Sequence, residues 1–88
     1  MRLTVELLGF PELGPERELE AAGTLADLAR LLAAAAEGRL APGVLDPAGA
    51  GGAVLVYWEG KARRLGECAG EPLPARGPVV FVRPIAAG

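Results

Sequence analysis

The sequence contains no histidine, serine, asparagine or glutamine. Those absences exclude Ser-His-Asp and Cys-His catalytic sets, and they remove the imidazole that most zinc sites use. The Gly-rich loop ending in Gly-Lys-Ser/Thr that cradles nucleotide phosphates is missing as well. A self-contained enzyme is hard to assemble from the residues that remain, and neither a bound cofactor nor a metal is expected. A single cysteine, Cys68, excludes an internal disulfide framework. No neighbour in sequence would clearly lower its pKa, so it reads as a small hydrophobe or loop thiol rather than a sulfur relay. Aromatic side chains are few: Phe10, Tyr57, Trp58 and Phe81. They are core by default, and one or two on an uncovered sheet face would supply a docking surface.

Charge is equally sparse in meaning. Eight arginines and one lysine, Lys61, are interleaved with acids to a net charge of −2. No basic stripe of the kind a nucleic acid requires is present, so no direct nucleic-acid partner is expected. Lys61, Arg63 and Arg64 read as a solvated hairpin. No apolar run approaches the ~20 residues of a membrane span. Glu6 interrupts the first residues, where a signal peptide would be continuously apolar. A cytoplasmic location without membrane contact is therefore expected.

What is there is a chain of 88 residues, 51% apolar, with 13 glycines and 8 prolines. That is one small domain near the lower limit for an independent core. Leu3, Val5 and Leu7 alternate with Arg2, Thr4 and Glu6, which predicts a half-buried strand. Leu8 and Phe10 break its polar face and mark a contact patch. Pro11-Glu12-Leu13-Gly14-Pro15 is turn chemistry, and Glu16 to Ala22 predicts a second strand pairing back as a hairpin. Its glutamates, with Glu12, read as a solvent face.

Thr24 is placed to cap a helix, with Asp27 in the capping-box position three residues on. Leu25, Leu28 and Leu32 form its apolar stripe, and Gly38 is its expected stop after about 14 residues. Residues 39–52 read as a long loop tacked to the core by Val44 and Leu45, of a length that suits mobility or interaction. Ala53 to Glu59 predicts the most apolar strand, Glu59-Gly60-Lys61 a hairpin turn, and Ala62 to Leu65 a short edge strand protected by two arginines. Residues 66–77 read as irregular. Val79 to Arg83 predicts a final strand, followed by Pro84 and the small residues Ile85, Ala86, Ala87 and Gly88.

The predicted order is strand, strand, helix, strand, strand, strand. Two hairpins flanking one helix make an α+β fold, a mixed sheet of four to five strands with the helix on one face. The crossover through the helix sets the first and last strands side by side and parallel. That is the β-grasp, or ubiquitin-like, arrangement. Residues 1–84 form the domain and 85–88 a flexible tail.

Three segments resemble the MoaD/ThiS family of ubiquitin-like sulfur carriers. Met1 to Gly9 looks like the family's first strand, and Thr24-Leu25-Ala26-Asp27-Leu28 like the start of its helix. Arg76 to Gly88 looks like its closing motif, in which a Gly-containing turn leads into an apolar strand, a proline and a Gly-Gly end. The sequence departs from the pattern in two respects. Ala87 stands at the penultimate glycine, and Arg76 and Pro78 flank Gly77 where an acidic residue is usual.

The resemblance implies a carrier whose Gly88 carboxylate is adenylated by a partner enzyme using ATP and Mg²⁺. The acyl-adenylate becomes a thiocarboxylate that donates sulfur, and by resemblance the closest branch is molybdopterin biosynthesis, as a small subunit of molybdopterin synthase. The implied partners are that adenylating enzyme and a sulfurtransferase or the synthase's large subunit. Gly88 is the implied reactive group, with Phe81, Pro84, Ile85, Ala86 and Ala87 as tail and partner-binding residues. Slim residues suit a tail that enters a narrow site, and four extended residues reach about 13–14 Å. Two other readings stay open: a β-grasp binding module with an unactivated tail, and a ubiquitin-like modifier of target lysines. The plainest reading of the last residues is an ordinary frayed terminus.

Overall fold

A computed structural model describes residues 1–84. The opening alternation becomes strand β1, Arg2–Leu8, with Leu3, Val5 and Leu7 buried and Arg2, Glu6 and Leu8 exposed. It pairs antiparallel with β2, Glu16–Glu20, in the register Leu3 to Leu19 and Val5 to Arg17. The connecting residues fold under the sheet end: Phe10 and Leu13 are buried, and the Phe10 carbonyl accepts from the amides of Leu13 and Gly14. Phe10 therefore belongs to the core and not to an exposed patch. The cause is Gly9, whose φ of +87° turns the chain before a sixth alternation can place Phe10 beside Leu8.

Helix α1, Leu25–Ala35, begins as expected. The Asp27 amide donates to the Thr24 hydroxyl at 3.3 Å, and the Asp27 carboxylate accepts from the Thr24 amide at 2.9 Å. The two following amides find partners elsewhere. Leu25 donates to the Glu71 carbonyl at 3.0 Å and Ala26 to that of Ala69 at 2.9 Å. A distant segment thus satisfies donors that a helix start leaves open. Leu25, Leu28 and Leu32 are fully buried, each contributing about 1.5–3 kcal/mol of apolar burial. The helix ends earlier than Gly38 predicts: Ala36 is its last capping residue, and Glu37 already takes a φ of +52°.

Residues 39–52 are not a loose loop. Leu45 is buried, the Gly51 amide donates to the Gly43 carbonyl at 2.8 Å, and a 3-10 turn spans Ala50–Ala53. A side chain at Gly51 would place its Cβ 2.5 Å from the Asp46 nitrogen, so the close approach needs glycine. Strand β3, Leu55–Trp58, turns through Glu59 and Gly60, both at positive φ, into β4, Lys61–Arg64. That is the two-residue hairpin geometry that matches strand twist. The stretch expected to be irregular opens with a short helix α2, Leu65–Cys68, which buries Leu65 and Cys68. Glycines at 66 and 70 hide it from a pattern search.

Strand β5, Val79–Val82, completes a five-stranded mixed sheet in the order β2-β1-β5-β3-β4. It runs parallel to β1 and antiparallel to β3. With α1 on one face, the domain is a small α+β unit of β-grasp type, its core one cluster between helix and sheet. No helix among the described residues is long and apolar enough to cross a membrane.

Two substitutions test this packing. Leu28→Ala should lower the unfolding free energy by about 2–5 kcal/mol in urea titrations, whereas Leu31→Ala, on the exposed helix face, should change it by less than ~0.5 kcal/mol. Thr24→Ala, which deletes the cap, should cost about 1 kcal/mol.

Candidate functional site

The tail is approached through β5, the middle strand of the sheet. Val79 and Phe81 face the helix and are fully buried, while Val80 and Val82 face the other way and are half-buried. Phe81 is therefore corrected from a partner-binding residue to a core residue. Its neighbours across the sheet, Leu7 and Val56, share the helix face, so the ring is enclosed on both sides. Pro84 is exposed, one residue after Arg83. Ile85, Ala86, Ala87 and Gly88 lie outside the described residues.

Register defines what the face away from the helix presents. One row across it reads Leu8, Val82, Leu55 and Arg64, and the next reads Glu16, Glu6, Val80, Tyr57 and Ala62. Leu8 is 57% exposed and Tyr57 40%, large values for such side chains. The centre of the face is thus an apolar strip. On its β2 side stand Glu6, Glu16, Glu18 and Glu20, partly answered by Arg2 at 3.5 Å from Glu18 and the Met1 amino group at 3.3 Å from Glu20. On its β4 side stands Arg64, exposed, while Lys61 and Arg63, opposite the buried Trp58 and Val56, belong to the helix side of the sheet. Lys61 lies 5.7 Å from the Trp58 ring. Shallow recesses of about 480 Å³ mark both ends of the strip, one lined by Leu55, Arg64 and Pro84, the other by Tyr57, Pro78 and Val80. An apolar strip rimmed by charge has the form of a protein-docking surface. Of the four aromatics, only Tyr57 serves it; Trp58, Phe10 and Phe81 are core.

The root of the tail is held from one side. The Arg83 amide donates to the Leu8 carbonyl at 2.8 Å. Its guanidinium donates through one nitrogen to both Glu12 oxygens, at 3.1 and 3.0 Å, and lies 5.5 Å from the centre of the Phe10 ring. Gly9 permits the approach, since a Cβ there would sit 3.0 Å from the Arg83 Cβ. Glu12's own backbone N–H, then the Arg83 guanidinium, hold its carboxyl below the ordinary glutamate range, against an opposing effect of burial. Glu12, expected on the solvent face with the β2 glutamates, is instead half-buried and paired, and Arg83 carried no expectation beyond ending its strand. They lie 71 positions apart, and neither motif nor periodicity connects them.

Cys68 is buried on α2, and burial pushes its thiol up from the ordinary value. A raised pKa disfavours the thiolate a sulfur relay would need. A further recess of about 410 Å³ lies between α1 and the 39–47 segment, lined by Arg30, Leu40, Leu45 and Asp46, away from the residues around Pro84.

No family model, curated protein or solved structure matches the chain.

The lowered pKa of Glu12 has a sign. The stability it lends is complete above the ordinary glutamate pKa and is lost as pH falls through the lowered native value. Melting curves of the wild type and Glu12→Gln should therefore differ at neutral pH, the wild type melting higher. The gap should close on acidification through the carboxylate range. A gap that stays constant to the lowest pH would show that the charge pair contributes nothing.

Proposed function

We propose that this chain is a β-grasp sulfur carrier, with the Gly88 carboxylate as its reactive group. The observation that carries the reading is the placement of β5: the strand leading to Pro84 is the middle strand of the sheet, parallel to β1, beside an open apolar face. A domain built this way anchors a short segment firmly and offers a separate surface for a partner. A carrier needs both, because the reacting carboxylate must enter another protein's site while the domain docks outside it.

In this reading a partner adenylating enzyme, with ATP and Mg²⁺, joins the Gly88 carboxylate to AMP and releases pyrophosphate. A persulfide sulfur then displaces AMP, and a thiol cleaves the resulting S–S bond to leave the thiocarboxylate. The carboxyl is activated because a poor leaving group has been exchanged for a good one, the ordinary logic of covalent catalysis. The carrier contributes no acid, base or metal to these steps. Its part is reach and recognition. Resemblance of the closing motif favours molybdopterin biosynthesis as the branch, with the large subunit of molybdopterin synthase as the sulfur-consuming partner and the cytoplasm as the compartment. The methyl of Ala87 fits an extended backbone and narrows the choice of partner sites to those with room at the penultimate position.

Deleting Ala87 and Gly88 tests the reading. AMP formation by the adenylating enzyme, dependent on the intact chain, should disappear, while the melting temperature stays at the wild-type value. Partner binding and cellular function that survive the deletion would instead mark a binding module. Isopeptides linking Gly88 to target lysines would mark a ubiquitin-like modifier.

A further inference from the structure

The contacts of Arg83 exceed what a strand end in a small domain requires. Chain ends ordinarily fray unless they are tied down. Here the backbone is bonded to Leu8, and the side chain is bonded to Glu12 and stacked over Phe10, residues of the connection between β1 and β2. That connection is itself rigid, with Phe10 and Leu13 buried and the Arg17 Nε donating to the Leu13 carbonyl at 3.0 Å. Proline at 84 adds two further restrictions. It confines Arg83 to extended backbone and fixes its own φ. The first soft torsion after the sheet is therefore the ψ of Pro84.

We propose that Arg83 is a positioning residue: its ion pair with Glu12 sets the direction in which the chain leaves the sheet. This rests on the carrier reading above, in which a carboxylate four residues beyond Pro84 must meet a narrow site. Four extended residues span about 13–14 Å, so a swing of ~20° at their root moves the far end by roughly 4–5 Å. Misplacement of a reacting group by ~1 Å is already enough to cost on the order of 100-fold in rate. The pair acts on the population of chains that leave in a competent direction. Lowering that population by a factor raises the apparent dissociation constant by the same factor and leaves the bound complex unchanged. The signature is a raised KM for the carrier at constant kcat.

The experiment uses the full chain as substrate for ATP–pyrophosphate exchange by an adenylating enzyme, comparing wild type, Glu12→Gln and the charge-swapped pair Glu12→Arg with Arg83→Glu. Glu12→Gln should raise KM at least ~5-fold with kcat within about two-fold, and the swap should return KM to within about two-fold of wild type. Amide hydrogen exchange at Arg83 should quicken in Glu12→Gln and slow again in the swap. A merely stabilising pair would lower the melting temperature and leave KM alone, and a direct contact between Arg83 and the enzyme would leave KM unrestored by the swap. Either result overturns the proposal while the carrier reading stands. A wild-type chain that supports no exchange at all removes the carrier reading, and the proposal with it.

Discussion

Parallel pairing of β1 with β5 is the constraint on which the rest of the structure depends. Parallel neighbours cannot be joined by a tight turn, so everything between them has to be routed around the sheet. That routing places α1 over the core, puts β3 and β4 on the far side of β5, and brings residues 69–73 back to the start of α1. The register matters as much as the direction. Val5 with Val79 and Leu7 with Phe81 are buried, whereas Glu6 with Val80 and Leu8 with Val82 face away. A slip of one residue would turn the core pairs outward and is opposed by their whole apolar burial.

In the proposed carrier, stability and recognition fall on the two sides of one strand. Phe81 and Val79 hold β5 in place from the helix side, while Val80 and Val82 contribute to the open strip. The charges on that face are uneven: glutamates of β1 and β2, partly answered by Arg2, crowd one side, and Arg64 of β4 stands on the other. A partner is oriented by such an arrangement more than it is tightened, because exposed charges are screened and steer approach. Beyond the strip, Arg83 and Glu12 tie the strand's end to the first turn. The fold thus supplies an anchored root beside an open apolar face, and the proposed chemistry needs both.

Much of this was legible in the residues, for local reasons. Leu3, Val5 and Leu7 carry a period of two, Thr24 and Asp27 spell a cap, and the pair of hairpins around one helix limits the topology to very few arrangements. The misses are equally physical. Gly9 takes Phe10 out of the pattern by a single backbone angle. Glu37 adopts the left-handed conformation one residue ahead of Gly38, the expected stop. Helix α2 is short and held by packing of Leu65 and Cys68, so no period announces it. Phe81 lies in a strand of apolar residues on both faces, and only register decides which residues are enclosed. The Glu12–Arg83 pair depends on two chain ends of the sheet meeting, which no window of sequence can contain.

The central claim is chemical, and it has a direct reading in the mass of the intact chain. After incubation with the adenylating enzyme, ATP, Mg²⁺ and a persulfide donor, replacement of one carboxylate oxygen by sulfur should add about 16 Da, localised to Gly88. An unchanged mass, under conditions in which the enzyme thiocarboxylates another β-grasp carrier, would contradict the account.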